Sequence, residues 1–223
     1  MSWTITPQTK VPVDPQYGSV SLLLHGNGTN GSTTITDNSP SPKTVTAVGN
    51  AQISTAQSKF GGSSMLFDGS TSYLTTPANP SFAYNADFTV ECWFYLIGSA
   101  FAAILDINSP GNFGFGVSST QVLGYETQLT AYTANQAISL NTWHHVALSR
   151  SGTTLKTFFN GSTIGTFTGV ATSYLSSGIL NIGRNPGANN SYFNGYIDDL
   201  RITKGVARYT ANFTPPAAPF PDI

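Results

Sequence analysis

Two short β-prone runs, Thr154 to Phe159 and Ser162 to Phe167, are separated by nothing but Asn160-Gly161. Asn-Gly between two such runs is the strongest short-range sign of a β-hairpin, because both residues tolerate the positive φ angles of a two-residue turn. The same period recurs along the chain. Phe88, Val90, Cys92 and Phe94 alternate with Thr89, Glu91, Trp93 and Tyr95. Trp143, His145 and Ala147 alternate with His144, Val146 and Leu148. Ser19 to Leu24, Ser64 to Phe67, Ile179 to Ile182 and Tyr196 to Ile202 complete the series, each bounded by Gly, Asn, Ser or Asp. No segment sustains a 3.6-residue period over three turns. Ala47 to Gln57 leaves room for a short helix, although it holds Gly49 and several β-branched residues. The chain is therefore all-β, and many short strands at regular spacing make a sandwich or barrel.

Three regions follow: an extended arm over residues 1–18 with Pro7, Pro12 and Pro15, a sandwich over 19–210, and a Pro-rich tail over 211–223. Only 9% of the 223 residues are charged, with 9 Lys+Arg against 10 Asp+Glu. With no basic excess to neutralise phosphates, nucleic acid is excluded as a partner. Hydrophobic residues at 39% supply a core, so the chain is not disordered. The single Cys92 excludes an intrachain disulfide. The first residues lack the apolar core of a secretory signal. No stretch reaches the roughly 18 apolar residues of a membrane span, so no membrane insertion is expected.

Four segments carry a family resemblance: LLLHGNGTNGSTTITDNS (22–39), SKFGGSSMLFDGSTSYL (58–74), FTVECWFY (88–95) with WHHVALSRSGTTLKTFFNG (143–161), and FNGYIDDLRITKGVARYTANFTPP (193–216). In this order and spacing they resemble the concanavalin A-like lectin/glucanase superfamily, and within it the laminin-G-like domains of bacterial surface and phage structural proteins. The resemblance covers roughly residues 19–216. It implies a jelly-roll sandwich of two antiparallel sheets, one convex and one concave, that binds glycans or proteins through rim loops or the concave face. It also implies an edge calcium ion whose ligands would be Asp198 in the last strand and backbone carbonyls near the first. Asn27-Gly28 departs from the Asp-Gly common in relatives, which removes a carboxylate from an ion that prefers six to eight oxygens.

Catalysis finds little support. Adjacent strand residues point to opposite faces, so neither His144-His145 nor Asp198-Asp199 forms a pair at one site. Trp143 and one His are expected to pack in the core, and one of the two aspartates to pair with Arg201 or Lys204. Glycoside hydrolysis needs two carboxyls flanking one bond. The strands offer Glu91 and, elsewhere, Glu126, with Asp87 four residues before Glu91 in what reads as a turn. Cys92 sits mid-strand on the apolar face, where a thiol is inert.

Binding chemistry is better represented. Sugars are held by aromatic faces together with amides and hydroxyls. Three clusters offer them in apparent loops: Asn108 to Phe113, the group Tyr125, Gln128 and Tyr132, and Arg184 to Tyr192. The expected glycan- or partner-binding residues are Phe113, Tyr125, Tyr132, Arg184, Asn189, Asn190 and Tyr192. Trp3 is expected to anchor the N-terminal arm on a neighbouring subunit or partner, or else to fold back on its own sandwich, since burying a large aromatic is worth roughly 2 kcal/mol or more. Taken with the resemblance, the expected role is a non-enzymatic virion surface protein of a phage (capsid decoration, head fibre or tail-fibre-associated module). It would contact other virion proteins through its arm, associate as a homo-oligomer, with a trimer favoured, and take host-surface glycans at its loops. The alternative is a bacterial carbohydrate-binding lectin or adhesin at the cell surface, and further off a glycoside hydrolase.

Overall fold

The computed structural model describes residues 13–83, 86–98, 100–108, 113–126, 130–170, 178–187 and 191–223. Along the chain run β1 (Val20–Leu24), β2 (Thr34–Ile35), β3 (Val45–Val48), β4 (Gln52–Ser54), β5 (Ser64–Asp68), β6 (Tyr73–Thr76), β7 (Phe88–Leu96), β8 (Ala102–Asn108) and β9 (Phe113–Ser118). There follow β10 (Gln121–Glu126), β11 (Thr130–Asn135), β12 (Trp143–Ser151), β13 (Thr154–Phe159), β14 (Ser162–Thr168), β15 (Ile179–Ile182), β16 (Arg184–Asn185), β17 (Ser191–Tyr192) and β18 (Asn194–Lys204).

Two eight-stranded antiparallel sheets stack face to face. The first runs β14-β13-β12-β7-β18-β5-β4, with β1 also on β18, and the second runs β11-β10-β9-β8-β15-β6-β3-β2. The expected all-β sandwich is the architecture observed. Among the described residues no helix is long and apolar enough to cross a membrane. Ala47 to Gln57 is not helical: it is the end of β3, a turn at Gly49 and β4. The Asn160-Gly161 hairpin joins β13 to β14, with Phe159 opposite Ser162 and φ values of 47° and 81° at the two turn residues.

The alternation in β7 builds the core from one face. Phe88, Val90, Cys92, Phe94 and Leu96 are fully buried between the sheets with Phe67, Phe115, Leu148 and Ile197. The opposite face of the first sheet, which alternation alone would leave to solvent, is covered over half its length. Residues 13–19 and 205–223 lie across it: Asp14 N–H donates to the Ile223 carbonyl at 2.9 Å, and Tyr17 Oη to the Asn38 carbonyl at 2.6 Å. Phe220 is buried against Val20 and Leu23. The segment 211–223 is thus seated on the sandwich, while Trp3 lies outside the described residues.

β18 holds the first sheet together. It pairs with β7 along its length, and its other edge pairs with β5 through Asn194–Ile197 and then with β1 from Leu200. The change of partner falls at a bulge between Asp198 and Arg201, where Asp199 has φ 51°. A bulge of this kind re-aims the side chains around it.

Candidate functional site

At one end of the first sheet the outer face is left uncovered. Trp143 on β12 stands opposite Tyr95 on β7, Tyr95 opposite Tyr196 on β18, Tyr196 opposite Leu66 on β5, and Leu66 opposite Gln52 on β4. Directly opposed residues share a face, so these five side chains form one row across five strands. All five are half-buried. The ring centroids of Trp143 and Tyr95 are 5.7 Å apart, as are those of Tyr95 and Tyr196, both edge-to-face. Exposed Ile97 and the amide of Asn194 continue the same face toward the rim, where the Ile97 N–H bonds the Asn194 carbonyl at 2.9 Å. The row offers flat apolar surface flanked by amides, the chemistry that suits the C–H face and hydroxyls of a sugar.

The next row is roofed. Trp93 and His145 pack edge-to-face at 5.3 Å under Phe60 and Phe213, which approach them to 5.9 and 5.6 Å. Lys59 holds its ammonium 3.8 Å from the centre of the Trp93 ring. The loop carrying Lys59 and Phe60 is pinned by Asp198, whose Oδ2 accepts both backbone N–H groups at 2.7 and 3.1 Å.

Deeper on this face lies a buried ionic network. Arg201 Nε and Nη2 donate to Glu91 Oε1 at 3.0 and 2.7 Å, and its Nη1 donates to Asp14 Oδ2 at 3.1 Å. Arg208 grips both Asp14 oxygens at 3.1 and 2.7 Å. Tyr209 Oη donates to Glu91 Oε2 at 2.8 Å, and His145 Nε2 lies 3.3 Å from that oxygen. Burial by itself would raise the Glu91 carboxyl, but the Arg201 charge and the neighbouring His145 outweigh it and hold the group down at about 2. Burial, then the Glu91 charge, pushes the Tyr209 hydroxyl well above its usual range.

The family model for the concanavalin A-like lectin/glucanases superfamily, in its laminin-G form, matches residues 68–208. The chain belongs to this superfamily. A search of curated proteins finds no match. Among solved structures, the binding domain of Paraclostridial Mosquitocidal Protein 1 is 13% identical with a TM-score of 0.66, over 85% of this chain and 49% of that one. Domain 4 of AbnA, a GH43 extracellular arabinanase from Geobacillus stearothermophilus, in complex with arabinotriose, is 16% identical with a TM-score of 0.63, over 84% of this chain and 93% of that one. Domains LG4-5 of the mouse laminin α1 chain are 16% identical with a TM-score of 0.52, over 61% and 40%. This chain therefore spans about half the length of the toxin binding domain it resembles. These likenesses are of fold, and the fold is that of lectin-like binding domains.

The residues expected at rim loops that the structure describes fall on different strands. Phe113 opens β9 and is buried edge-to-face against Phe88 at 5.1 Å, so it is a core residue and unavailable to a ligand. Tyr132 lies on β11, 9% exposed and packed on Phe167, and is also mostly core. Tyr125 belongs to β10, opposite Ala131 and Gly114. Asn189 and Asn190 lie outside the described residues. Arg184 and Tyr192 face each other in the β16–β17 hairpin, and the Arg184 guanidinium stacks 3.9 Å over Tyr73. Arg184 and Tyr192 are half-exposed at this rim.

Other expectations are corrected. Asp199 pairs with neither Arg201 nor Lys204. Its buried carboxylate meets His25 Nδ1 at 2.6 Å and accepts the Phe220 N–H at 2.8 Å, because the bulge turns it away from Arg201. Trp143 and His145 share the outer face, and it is His144 that packs inward, between Phe94 and Phe159. Cys92 is buried, and burial raises its thiol. At Asp198, the residue expected to hold calcium, the two carboxylate oxygens differ. Asp198 Oδ2 is committed to two amides, which leaves one buried carboxylate oxygen, Oδ1, without a partner. Among the described residues no three His, Cys, Asp or Glu side chains gather to hold a metal.

The row Trp143–Tyr95–Tyr196 was missed, because Trp143 was expected in the core and only the strand register sets it side by side with Tyr95 and Tyr196.

Proposed function

We propose that this chain is a non-enzymatic carbohydrate-binding domain that takes a glycan on the aromatic row Trp143–Tyr95–Tyr196. The observation that carries this reading is the in-register line of three half-exposed rings on the uncovered end of a sandwich face. Domain 4 of the arabinanase, of similar fold, is in complex with arabinotriose, which supports a sugar as ligand. Binding without hydrolysis is supported by the state of the carboxylates on this face. Glu91 is fastened to Arg201 and Tyr209, and Glu91 and Asp198 are both wholly buried beneath the roofed part of this face, so no pair of carboxyls flanks a bond of a sugar lying on the row.

The setting we propose is the surface of a phage virion, with the N-terminal residues, Trp3 among them, as the attachment to other virion proteins and a trimer as the assembly. The uncharged polar composition supports this, and so does the likeness to laminin-G-like domains of phage structural proteins.

Glycan-array binding tests the domain itself. Trp143→Ala and Tyr196→Ala are each expected to weaken binding by roughly 2- to 13-fold with the thermal midpoint held, since one stacked ring contributes about 0.5–1.5 kcal/mol. Binding that survives both substitutions defeats the reading of the row. Mass spectrometry of purified virions tests the setting, and absence of the chain there defeats it.

A further inference from the structure

The cations of the described chain are nearly all spoken for. Lys43, Lys156 and Lys204 donate to the carbonyls of Ser41, Thr210 and Pro80 at 2.6, 2.6 and 3.0 Å. Arg201 and Arg208 are neutralised by Glu91 and Asp14, and Arg150 donates to the Ala86 carbonyl. Lys59 differs. Its ammonium stands on aromatic surface, 3.8 Å from the Trp93 ring centre and 5.7 Å from that of Phe60. Among the described residues no oxygen takes a hydrogen bond from it. A cation held on a ring keeps its charge and its donors for something else.

Its place is tied to the aromatic row. Trp93 is two residues from Tyr95 on β7, on the same face, and Asp198 is two residues from Tyr196 on β18, directly opposite Trp93. Asp198 pins the Lys59 and Phe60 amides. The loop is thus fixed beside the row, with its ammonium over Trp93, the ring two residues along β7 from Tyr95.

We infer that the glycan taken by this row is acidic and that Lys59 selects it, receiving a ring carboxylate or sulfate while Trp143, Tyr95 and Tyr196 hold the sugar faces. The inference rests on the proposed use of the row. The chain carries a net charge of −1, so no general basic field draws polyanions to it. Preference for an acid has to come from a local, directional contact, and a charge-assisted hydrogen bond is about twice as strong as a neutral one.

The test uses the whole chain with hyaluronan, alginate and polygalacturonate, each paired with its own carboxyl-reduced polymer, and chondroitin sulfate paired with its desulfated form. For at least one pair the acidic polymer is expected to bind roughly 5- to 10-fold more tightly, with the difference shrinking at high salt. Lys59→Gln removes that difference and leaves the neutral polymer's affinity unchanged, and Lys59→Arg retains it. Equal binding of both members of every pair, or a preference that survives Lys59→Gln, overturns the role of Lys59 and leaves the row standing. If no polymer binds, or if Trp143→Ala binds as well as the unaltered chain, the row itself is wrong and this inference falls with it.

Discussion

Glu91 and Arg201 meet across neighbouring strands at 2.7 Å, both almost wholly buried under the chain's own terminal segments. Their charges lie on the face of β7 and β18 that period-two alternation leaves to water, and the segments around Asp14, Arg208 and Tyr209 close over them. A buried ion pair adds little over a well-packed apolar pair, but removing one partner strands the other charge. Glu91→Gln is therefore expected to cost about 3–5 kcal/mol in urea unfolding, while the double change Glu91→Met with Arg201→Met costs less than either single change. An unaltered midpoint for Glu91→Gln would contradict the structural role given to this carboxylate.

The same residue sets the acid limit of stability. Its folded-state value of about 2 lies below the ordinary 4.5, so the unfolded chain takes up the proton first. The stabilisation is complete above pH 4.5 and drains away as pH falls toward 2. In Glu91→Gln this acid limb should shrink in a series of urea melts from pH 6 to pH 2. A limb of unchanged steepness would assign acid unfolding to other carboxylates.

How much of this could be read beforehand depended on range. The Asn160-Gly161 turn, the core face of β7 and the inert Cys92 are local properties, and each was legible. Phe113 was misread because Gly111-Asn112 looks like loop chemistry up to the residue where β9 begins. The roles of Asp199 and Arg201 were misread because the bulge with φ 51° at Asp199 breaks the alternation on which their facing was argued. The roofing of Glu91 by residues 13–19 and 205–223 depends on contacts nearly two hundred residues apart, such as Asp14 with Arg201 and Arg208, which no local pattern encodes.

Asp198 works in the opposite direction from Glu91. Burial, and then the charge of Asp199, push its carboxyl from 3.8 up to about 7 despite the amides of Phe60 and Lys59. Here the folded chain binds the proton more tightly, so stability declines as pH rises from about 4 through 7. The effect is on the order of a few kcal/mol. Asp198→Asn keeps an oxygen for the two amides and removes the charge, so it should leave stability at about pH 3 nearly unchanged and raise it at about pH 8. Loss of stability at pH 8 would show that the ionised form is needed.

His25 adds to the same alkaline limb. Burial tends to lower its pKa, but the hydrogen bond and charge of Asp199 prevail and raise it above 6.5. The stabilisation is whole below pH 6.5 and is lost as pH climbs through the folded-state value. Because Asp199 also accepts the Phe220 N–H, the loss should be felt in the C-terminal segment. Hydrogen exchange at Phe220, corrected for the intrinsic pH dependence, is expected to quicken between pH 6 and 9, and in Asp199→Asn to be fast throughout. Uniform protection across that range would uncouple the His25 pair from the tail.

Gly161 and Gly152 separate backbone strain from the seating of that tail. Both have positive φ, 81° and 57°, a conformation that costs a residue with a Cβ about 1–2 kcal/mol. Around Gly152 there is open space, whereas a Cβ on Gly161 would run into the Phe213 carbonyl and Pro215. Phe213 is held there by its own N–H, which donates to the Gly161 carbonyl at 2.9 Å, and it stacks on Tyr209 over His145. Gly152→Ala should thus cost only the backbone term. Gly161→Ala should cost about 2 kcal/mol more, because it also lifts Phe213 and opens the buried ground around His145 and Glu91 to water. The excess should disappear when both glycine changes are repeated in a chain carrying Phe213→Ala. If the two substitutions cost the same in the unaltered background, the tail is not braced on the β13–β14 turn.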